Sequence, residues 1–528
     1  MLQISQLRLA PDEPESALTA KAARVLRLAP EQIGHLQILR RGVDAREQVQ
    51  LVYTVAVSVS NEPAVLRRCR DKRVSPYRPQ VYTPPATMAP PSLPPVVVGA
   101  GPAGLFAALT LALAGQKPIL LERGQPVEQR VRDVERFWSA GLLDTESNVQ
   151  FGEGGAGAFS DGKLNTGTRD VRHHWILQQL VDCGAPERIL IDAKPHVGTD
   201  YLHIALQGLR RRLLDLGCEI RFSHRLEGIT HQDNALTALT VRGPEGTYSL
   251  PCRQLVLALG HSARDTVEAL YAAGVHMEPK PFAVGVRIEH RQQDMDAVQY
   301  RRWAGHPSLG AASYKLACHL SNGRSAFSFC VCPGGEVVAA ASEQQRTVTN
   351  GMSAFARDKE NINGALLVNV TPEDFPTSHP LAGIAFQRQL EEAAFRLGDK
   401  PYHAPCQRVE DFLLGRPSTG PGTVQPSYRP GVTWCDLHRC LPDFVARTLE
   451  EALPVLDGKL PGYASGDALL TAVESRSSSP VRMVRDETYQ ANIRGVYPCG
   501  EGAGYAGGIL SAAADGIRCA QQIIGGNT

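Results

Sequence analysis

Three consecutive valines, Val96 to Val98, run straight into Gly99-Ala-Gly101-Pro-Ala-Gly104, and this junction constrains the chain more than any other stretch. A short apolar run closed by glycine reads as a buried strand. Gly104–Gly115 then has the composition of a buried helix, and Pro118–Glu122 is a second apolar strand that ends in an acid. The spacing predicts a βαβ unit with a glycine turn after its first strand. Each glycine has its own reason. Gly99 makes the tight turn, Gly101 lets a pyrophosphate approach the backbone, and Gly104 lets the helix pack close to the sheet. Pro102 and Ala103 open the helix, whose free N–H groups and positive dipole end suit a phosphate. Glu122 is placed to accept hydrogen bonds from a ribose, with Arg123 beside it. The bare Gly-x-Gly-x-x-Gly pattern recurs at Gly152–Gly157 and Gly502–Gly507, but neither copy opens a full βαβ unit.

The rest of the chain bounds what surrounds this unit. At 528 residues it is too long for one hydrophobic core, and two to four domains are expected. The net charge of +1 supplies no global field for nucleic acid or an acidic membrane surface. Leu93–Gly115 carries no charged residue, yet glycine and proline break it, so it predicts a strand, turn and helix rather than a membrane span. Met1–Arg8 lacks the apolar core of a secretory signal, so a cytoplasmic protein is expected. The twelve cysteines form no Cys-x-x-Cys pair, which argues against a zinc ribbon and against a thioredoxin-reductase-like disulfide; no metal site is expected. Cys330 and Cys332 read as two thiols on one face of a strand.

Residues 1–75 read as a small α+β module of βαββ order: strand Leu2–Leu9, helix Glu15–Leu28, and strands near 35–40 and 48–59. A basic run follows at Arg67, Arg68, Arg70, Lys72 and Arg73. Eight prolines between Pro76 and Pro95 then predict an extended linker over 76–94. Gln254–Gly260 is another apolar strand ending in glycine, and Leu381–Leu397 and Ile509–Ile524 read as helices.

The far end of the chain decides which dinucleotide. Gly495-Val-Tyr-Pro-Cys-Gly500-Glu501, a strand into a glycine turn, resembles the strand-Gly-Asp element of FAD-binding folds, with Glu in place of the usual Asp, and that resemblance implies a carboxylate accepting from a ribityl hydroxyl. Gly507-Gly508-Ile509 then starts a helix whose N–H groups can face a flavin ring and stabilise its reduced, negative form. This pairing points to FAD.

At this point the chain resembles the FAD-dependent dehydrogenases of the glutathione-reductase-like superfamily, and more narrowly a bacterial family of uncharacterised FAD-dependent proteins. The carrying residues are Gly99–Gly104, Asn148–Lys163, Lys280–Arg287, Phe329–Gly335, Glu474–Arg482 and the C-terminal Gly-Glu element. Ala158 and Ser477 depart from that pattern, where threonine is expected. The resemblance implies an α/β architecture: a Rossmann-like FAD-binding domain, βαβ plus β-meander, split over 95–280 and 465–528. A substrate or cap domain of α+β type is inserted at 281–464. It further implies that Gly154, Gly155, Ala156, Gly157, Ser160 and Lys163 line the flavin, and that Leu226 meets the adenine through its backbone. With Gly260, Gly500, Glu501, Gly507, Gly508 and Ile509, these complete the expected cofactor site.

Catalytic residues are less legible, because the flavin itself carries the electrons. Candidates are His261 after the Leu259–Gly260 turn, Lys163, and Arg476 with Arg482. The arginines either clamp an anionic substrate around Ser477–Ser479 or pair with Glu474 and Asp486. The expected activity is transfer of hydride or electrons between non-covalent FAD and a small organic substrate. No second βαβ unit is read for NAD(P)H, so a nicotinamide donor would bind transiently. A flavin monooxygenase is the alternative enzyme, and an RNA-associated flavoprotein using the basic N-terminal run is the alternative from another class.

Overall fold

The computed structural model describes residues 1–79 and 81–526. Its centre is a five-stranded parallel sheet, ordered Val496–Pro498, Leu255–Leu257, Val96–Val98, Ile119–Glu122 and Glu219–Phe222. Apart from Glu122 at the end of its strand and the Glu219–Phe222 edge, these strands carry no charged residue, because both faces of the other four are covered. Helices Pro102–Leu113 and Ile509–Gly525 pack on one face, so close that a Cβ on Gly516 would run into the Ala103 carbonyl. A three-stranded antiparallel meander, Arg225–Gln232, Ala235–Gly243 and Gly246–Pro251, sits between the Glu219–Phe222 and Leu255–Leu257 strands in sequence.

A second, larger sheet lies between residues 282 and 474. It has eight strands, with Phe282–Arg291 at its middle between Asn361–Val370 and Leu469–Glu474. Helices Ala382–Leu397 and Asp443–Asp457 bury Phe386, Leu390, Val445 and Leu449 in one core with Val284, Val286 and Ile288. The return to the parallel sheet was expected at 465. It comes after Glu474, since Leu469–Glu474 pairs antiparallel with Phe282–Arg291. An apolar run such as Leu-Leu-Thr-Ala-Val suits the interior of either sheet, so composition could not place it. The two crossings between the sheets, Met277–Pro279 and Val481–Met483, pair with each other as a short antiparallel ladder.

The N-terminal residues form a four-stranded sheet, ordered Leu36–Asp44, Gln50–Val57, Leu2–Leu9 and Val74–Pro76. A helix at Glu62–Arg68 and the edge strand Val74–Pro76 were not expected. The helix had a legible signal: Asn61 accepts the Ala64 N–H at 3.1 Å and Pro63 sits in the first turn. Arg67 and Arg68 therefore end a helix rather than start a linker. Tyr300, Leu309 and Ala312 from the larger sheet's segment complete this module's core. Among the described residues, the proline-rich stretch beyond has no helix or strand and is tied down, with Met88 N–H donating to the Ala114 carbonyl and Tyr82 edge-on to Trp175. Among the described residues, no helix is long and apolar enough to cross a membrane.

Candidate functional site

Four glycine turns meet at the carboxyl ends of the central parallel strands, where open α/β sheets bind ligands. Gly99 has φ +102°, which only glycine adopts easily, and a Cβ on Gly104 would strike the Gly99 carbonyl. The second turn, Gly152–Phe159, packs its Gly155 against Gly101 so closely that a Cβ added to Gly155 would lie 3.1 Å from the Gly101 Cα, so backbone meets backbone there. Gly154 N–H donates to the Ala100 carbonyl at 2.8 Å. Gly157 faces Ile509 at 3.4 Å, which brings this loop to the start of the C-terminal helix. The third turn, at Gly260, underlies Gly502, and the fourth is Gly500–Gly508. Gly500 has φ +71° and its N–H donates to Asp515, which also pairs with Arg485 at 2.8 Å.

Glu122 is buried and holds two of these turns together. Its carboxylate accepts the N–H groups of Ala100, Gly124 and Gly152 at 2.7 to 3.0 Å. Two oxygens offer about four acceptor positions, which leaves one for a ribose hydroxyl. Arg123 pairs with Glu146 and Asp265 and lies 4.0 Å over the Phe151 ring, so it presents a flat, stacked face rather than a free charge. Leu226 is buried at a bulge of the meander, and its carbonyl accepts the Thr266 hydroxyl.

Glu501 is different. Its carboxylate has no hydrogen-bond donor among the described residues; it sits 3.9 Å from where a Cβ on Gly507 would be, and half-buried Lys280 is the cation that acts on it. Burial raises its pKa to about 7, with Lys280 pulling down and Cys330 pushing up. An acceptor held in a tight glycine cradle without a donor fits a polyol hydroxyl. Gly508, with φ +81°, caps helix Ile509–Gly525, whose first N–H groups open toward the same region. Glycine turns for a pyrophosphate, an acid for a ribose and an acid for a ribityl chain together make a donor and acceptor set that suits FAD.

The catalytic candidates fall into separate places. Lys163 pairs with Asp161 at 3.0 Å, and Asp161 also receives Arg357 at 2.6 Å and the Ser353 hydroxyl. Burial alone would raise Asp161, but Lys163 and Arg357 outweigh it and hold it at about 2. Ser160 is spent locally: it donates to the Gly157 carbonyl and accepts the Gly162 N–H. His261 lies 3.0 Å from Ser262 and is depressed to about 3 by burial, then by Arg476 and Arg264. It stays neutral at physiological pH and is a poor proton acceptor there.

Arg476 and Arg482 are not brought together. Arg476 is buried, with the Nε and Nη2 edge of its guanidinium on Glu391 at 2.9 and 3.0 Å and Nη1 donating to Ser262 and Ser342. Arg264 meets the same Glu391 at 2.7 Å. This corrects both readings of Arg476: it is no anion clamp, and its partner is Glu391 rather than Glu474. Glu474 pairs with Arg287, and Asp486 caps its own turn through Thr488 and Gln490. Ser477 and Ser479 are bonded to backbone at Ala283 and Val481. Arg482 is exposed on the crossing ladder, near Tyr505, and its charge joins burial in lowering Lys280. Sequence reasoning missed Lys280, Asp161, Arg357 and Glu391. Lys280 and Asp161 lie in stretches that carry the resemblance without being singled out there, and Glu391 left a trace as a polar residue one turn from Gln387 on the apolar face of its helix.

Comparison with known proteins follows this geometry. Residues 95–175 match a family described as FAD binding domain, 281–477 one described as FAD-dependent protein, C-terminal domain-like, and 1–60 a domain of unknown function. An uncharacterised protein of Clostridium beijerinckii is 46% identical over 99% of this chain and 98% of its own length. A 12-dehydrotetracycline 5-monooxygenase/anhydrotetracycline 6-monooxygenase of Streptomyces rimosus is 31% identical over 38% of this chain and 36% of its own. Among solved structures, the complex of aklavinone-11 hydroxylase with FAD and aklavinone aligns with 83% of this chain and 63% of that one, at 16% identity and a TM-score of 0.36.

Proposed function

The chain belongs to the same family as the Clostridium beijerinckii protein and carries the FAD-binding match, and from that premise we propose a dehydrogenase- or reductase-type enzyme. In this reading it moves hydride or electrons between non-covalent FAD and a small organic substrate. FAD supplies the two-electron chemistry. The chain's residues hold and tune it: the Gly99–Gly104 turn faces the pyrophosphate, Glu122 the ribose, Glu501 the ribityl chain, and the Ile509–Gly525 helix start the pyrimidine end.

The observation that carries this reading is the chemistry around Glu501. Lys280 and Cys330 act on Glu501, and Lys163, Arg287 and Glu474 are grouped in turn around Cys330, whereas a site shaped for an apolar aromatic substrate would be walled by apolar and aromatic side chains. Lys280 and exposed Arg482 make the approach cationic, which suits an anionic substrate. Among the described residues there is one parallel sheet of the dinucleotide type, so NADH or NADPH would serve as a transient donor. The Streptomyces rimosus similarity supports the monooxygenase alternative over the part of the chain it covers.

Rapid mixing of the purified protein with NADH and with NADPH without oxygen, then with candidate acceptors, tests the reading. Bleaching of the flavin by a nicotinamide and its return by an organic acceptor are expected. Isotopic oxygen from O2 appearing in a product would give the reaction to the monooxygenase instead.

A further inference from the structure

Cys330 and Cys332 do not lie on a regular strand. Within strand Ser325–Ala339 the ladder to Asn361–Val370 slips twice, between Phe329 and Cys332 and again between Cys332 and Gly335. Cys330 stands in the bulge with φ +41°, a conformation that L side chains rarely adopt. In an extended strand, residues two apart are about 6.6 Å apart at Cα. That is the upper edge of the roughly 4.4–6.8 Å a disulfide spans. The bulge folds the segment back so that Cys332 Sγ donates to the Cys330 carbonyl at 3.3 Å.

Two cations from different elements surround the pair. Arg287 Nη2 lies 3.6 Å from Cys332 Sγ and donates to the Cys330 carbonyl at 3.0 Å. Lys163, from the loop packed on Gly101, places Nζ 3.9 Å from Cys332 Sγ. Cys330 is close enough for its charge to act on Glu501 and Glu474. Cys330 is half-buried and Cys332 buried, so Cys330 is the more accessible residue of the two.

We propose that Cys330 and Cys332 are a redox-active dithiol that exchanges with a small organic disulfide, Cys330 attacking and Cys332 resolving. The Cys330 thiolate attacks one sulfur of the disulfide R–S–S–R, forming a Cys330–S–R bond and releasing one R–S⁻. Cys332, losing its proton, then attacks the Cys330 sulfur, closes the Cys330–Cys332 bond and releases the second R–S⁻. Two thiols are oxidised and one external disulfide is reduced to two thiols. The return needs two electrons and two protons, and the reductant is the reduced flavin held beside Glu501; this half rests on the function proposed above, while the exchange half does not.

The charges favour this division of labour. The neighbouring Cys332 thiol lowers Cys330 well below the usual thiol range against its burial, helped by Lys163 and Arg287, while burial raises Cys332. Elsewhere Cys218, Cys252, Cys406, Cys435 and Cys440 are raised by burial with no comparable cation, and they are structural thiols.

The test uses the full chain. Incubated with oxidised glutathione and digested, wild type should yield the peptide carrying Phe329–Pro333 lighter by two hydrogens, with two fewer titratable thiols per chain. Cys332→Ser should instead retain glutathione on Cys330, and Cys330→Ser should retain none at Cys332. Anaerobic reduction of the flavin should then restore the two thiols. A wild-type protein with full flavin content that forms no Cys330–Cys332 bond in any glutathione buffer overturns the proposal and leaves the flavin reading standing. A bond that forms normally but stays oxidised when the flavin is reduced overturns the link to the flavin alone.

Discussion

At the scale of single residues, Glu501 is the sharpest handle on the site. Its carboxylate is held in a glycine turn with no donor, so FAD binding should supply one. A hydrogen bond to a charged acceptor contributes roughly 1.5–3 kcal/mol, or about ten- to a hundredfold in dissociation constant. Glu501→Ala should weaken FAD retention by that factor with the fold intact, read by flavin content after dialysis at set dilution; unchanged occupancy would remove Glu501 from the site. Its titration gives a second prediction. Glu501, Glu474 and Glu153 are all raised to about 7 by burial, against an ordinary value of 4.5. A raised acid binds more protons folded than unfolded, so its contribution is complete below its unfolded pKa and is lost as pH rises through about 7. The flavin-free protein should therefore lose melting temperature between about pH 5 and pH 8, and Glu501→Gln should make that loss shallower. The glycines and Glu501 were legible in sequence because a turn and its ligand contacts are local. The thiols were not, because Cys-x-Cys on an ordinary strand and on a bulge look alike until the partner strand is known.

At the scale of elements, the network around Glu391 joins three pieces far apart in the chain. Helix Arg264–Ala272 contributes Arg264, helix Ala382–Leu397 contributes Glu391 and Gln387, and the segment after strand Leu469–Glu474 contributes Ser475 and Arg476. The network ties the parallel sheet to the larger one. Burial opposes charge on Glu391, but Arg264 and Arg476 outweigh it and lower its pKa. Removing the acid strands two buried cations, which costs about 3–5 kcal/mol. Glu391→Gln should destabilise by that order in chemical unfolding. The sign with pH is opposite to Glu501: a lowered acid stabilises above its unfolded pKa and loses that contribution as pH falls. Wild type should weaken below about pH 4.5, and Glu391→Gln should show less of that acid loss. Equal acid sensitivity in the two proteins would place the effect elsewhere. No sequence pattern could pair residues 85 positions apart, such as Arg476 and Glu391, and the local alternatives Glu474 and Asp486 were the natural wrong partners. By contrast the βαβ unit and the two long helices followed from period and glycine placement alone.

At the scale of the whole molecule, the proposed FAD site joins Gly99–Gly104 to Gly500–Ile509, and helices Pro102–Leu113 and Ile509–Gly525 pack on each other behind these turns. A ligand that grips both ends closes the parallel sheet, and it has no counterpart in the unfolded chain. Binding of that kind stabilises by RT ln(1 + [L]/Kd), about 2.7 kcal/mol at a hundredfold excess over Kd. Stripping the flavin should lower the melting temperature, and adding FAD back should raise it in step with the logarithm of its concentration. The N-terminal sheet has its own core, closed by Tyr300, Leu309 and Ala312 rather than by any residue of the FAD site. Hydrogen exchange should therefore slow on FAD addition in the Gly99–Gly104, Gly152–Lys163 and Gly500–Ile509 segments, while Leu2–Leu9 and Gln50–Val57 change little. Uniform slowing across all of these strands would mean that the flavin stabilises one cooperative unit including the N-terminal sheet. Slowing confined to the N-terminal sheet would overturn the placement of the cofactor at the two glycine turns.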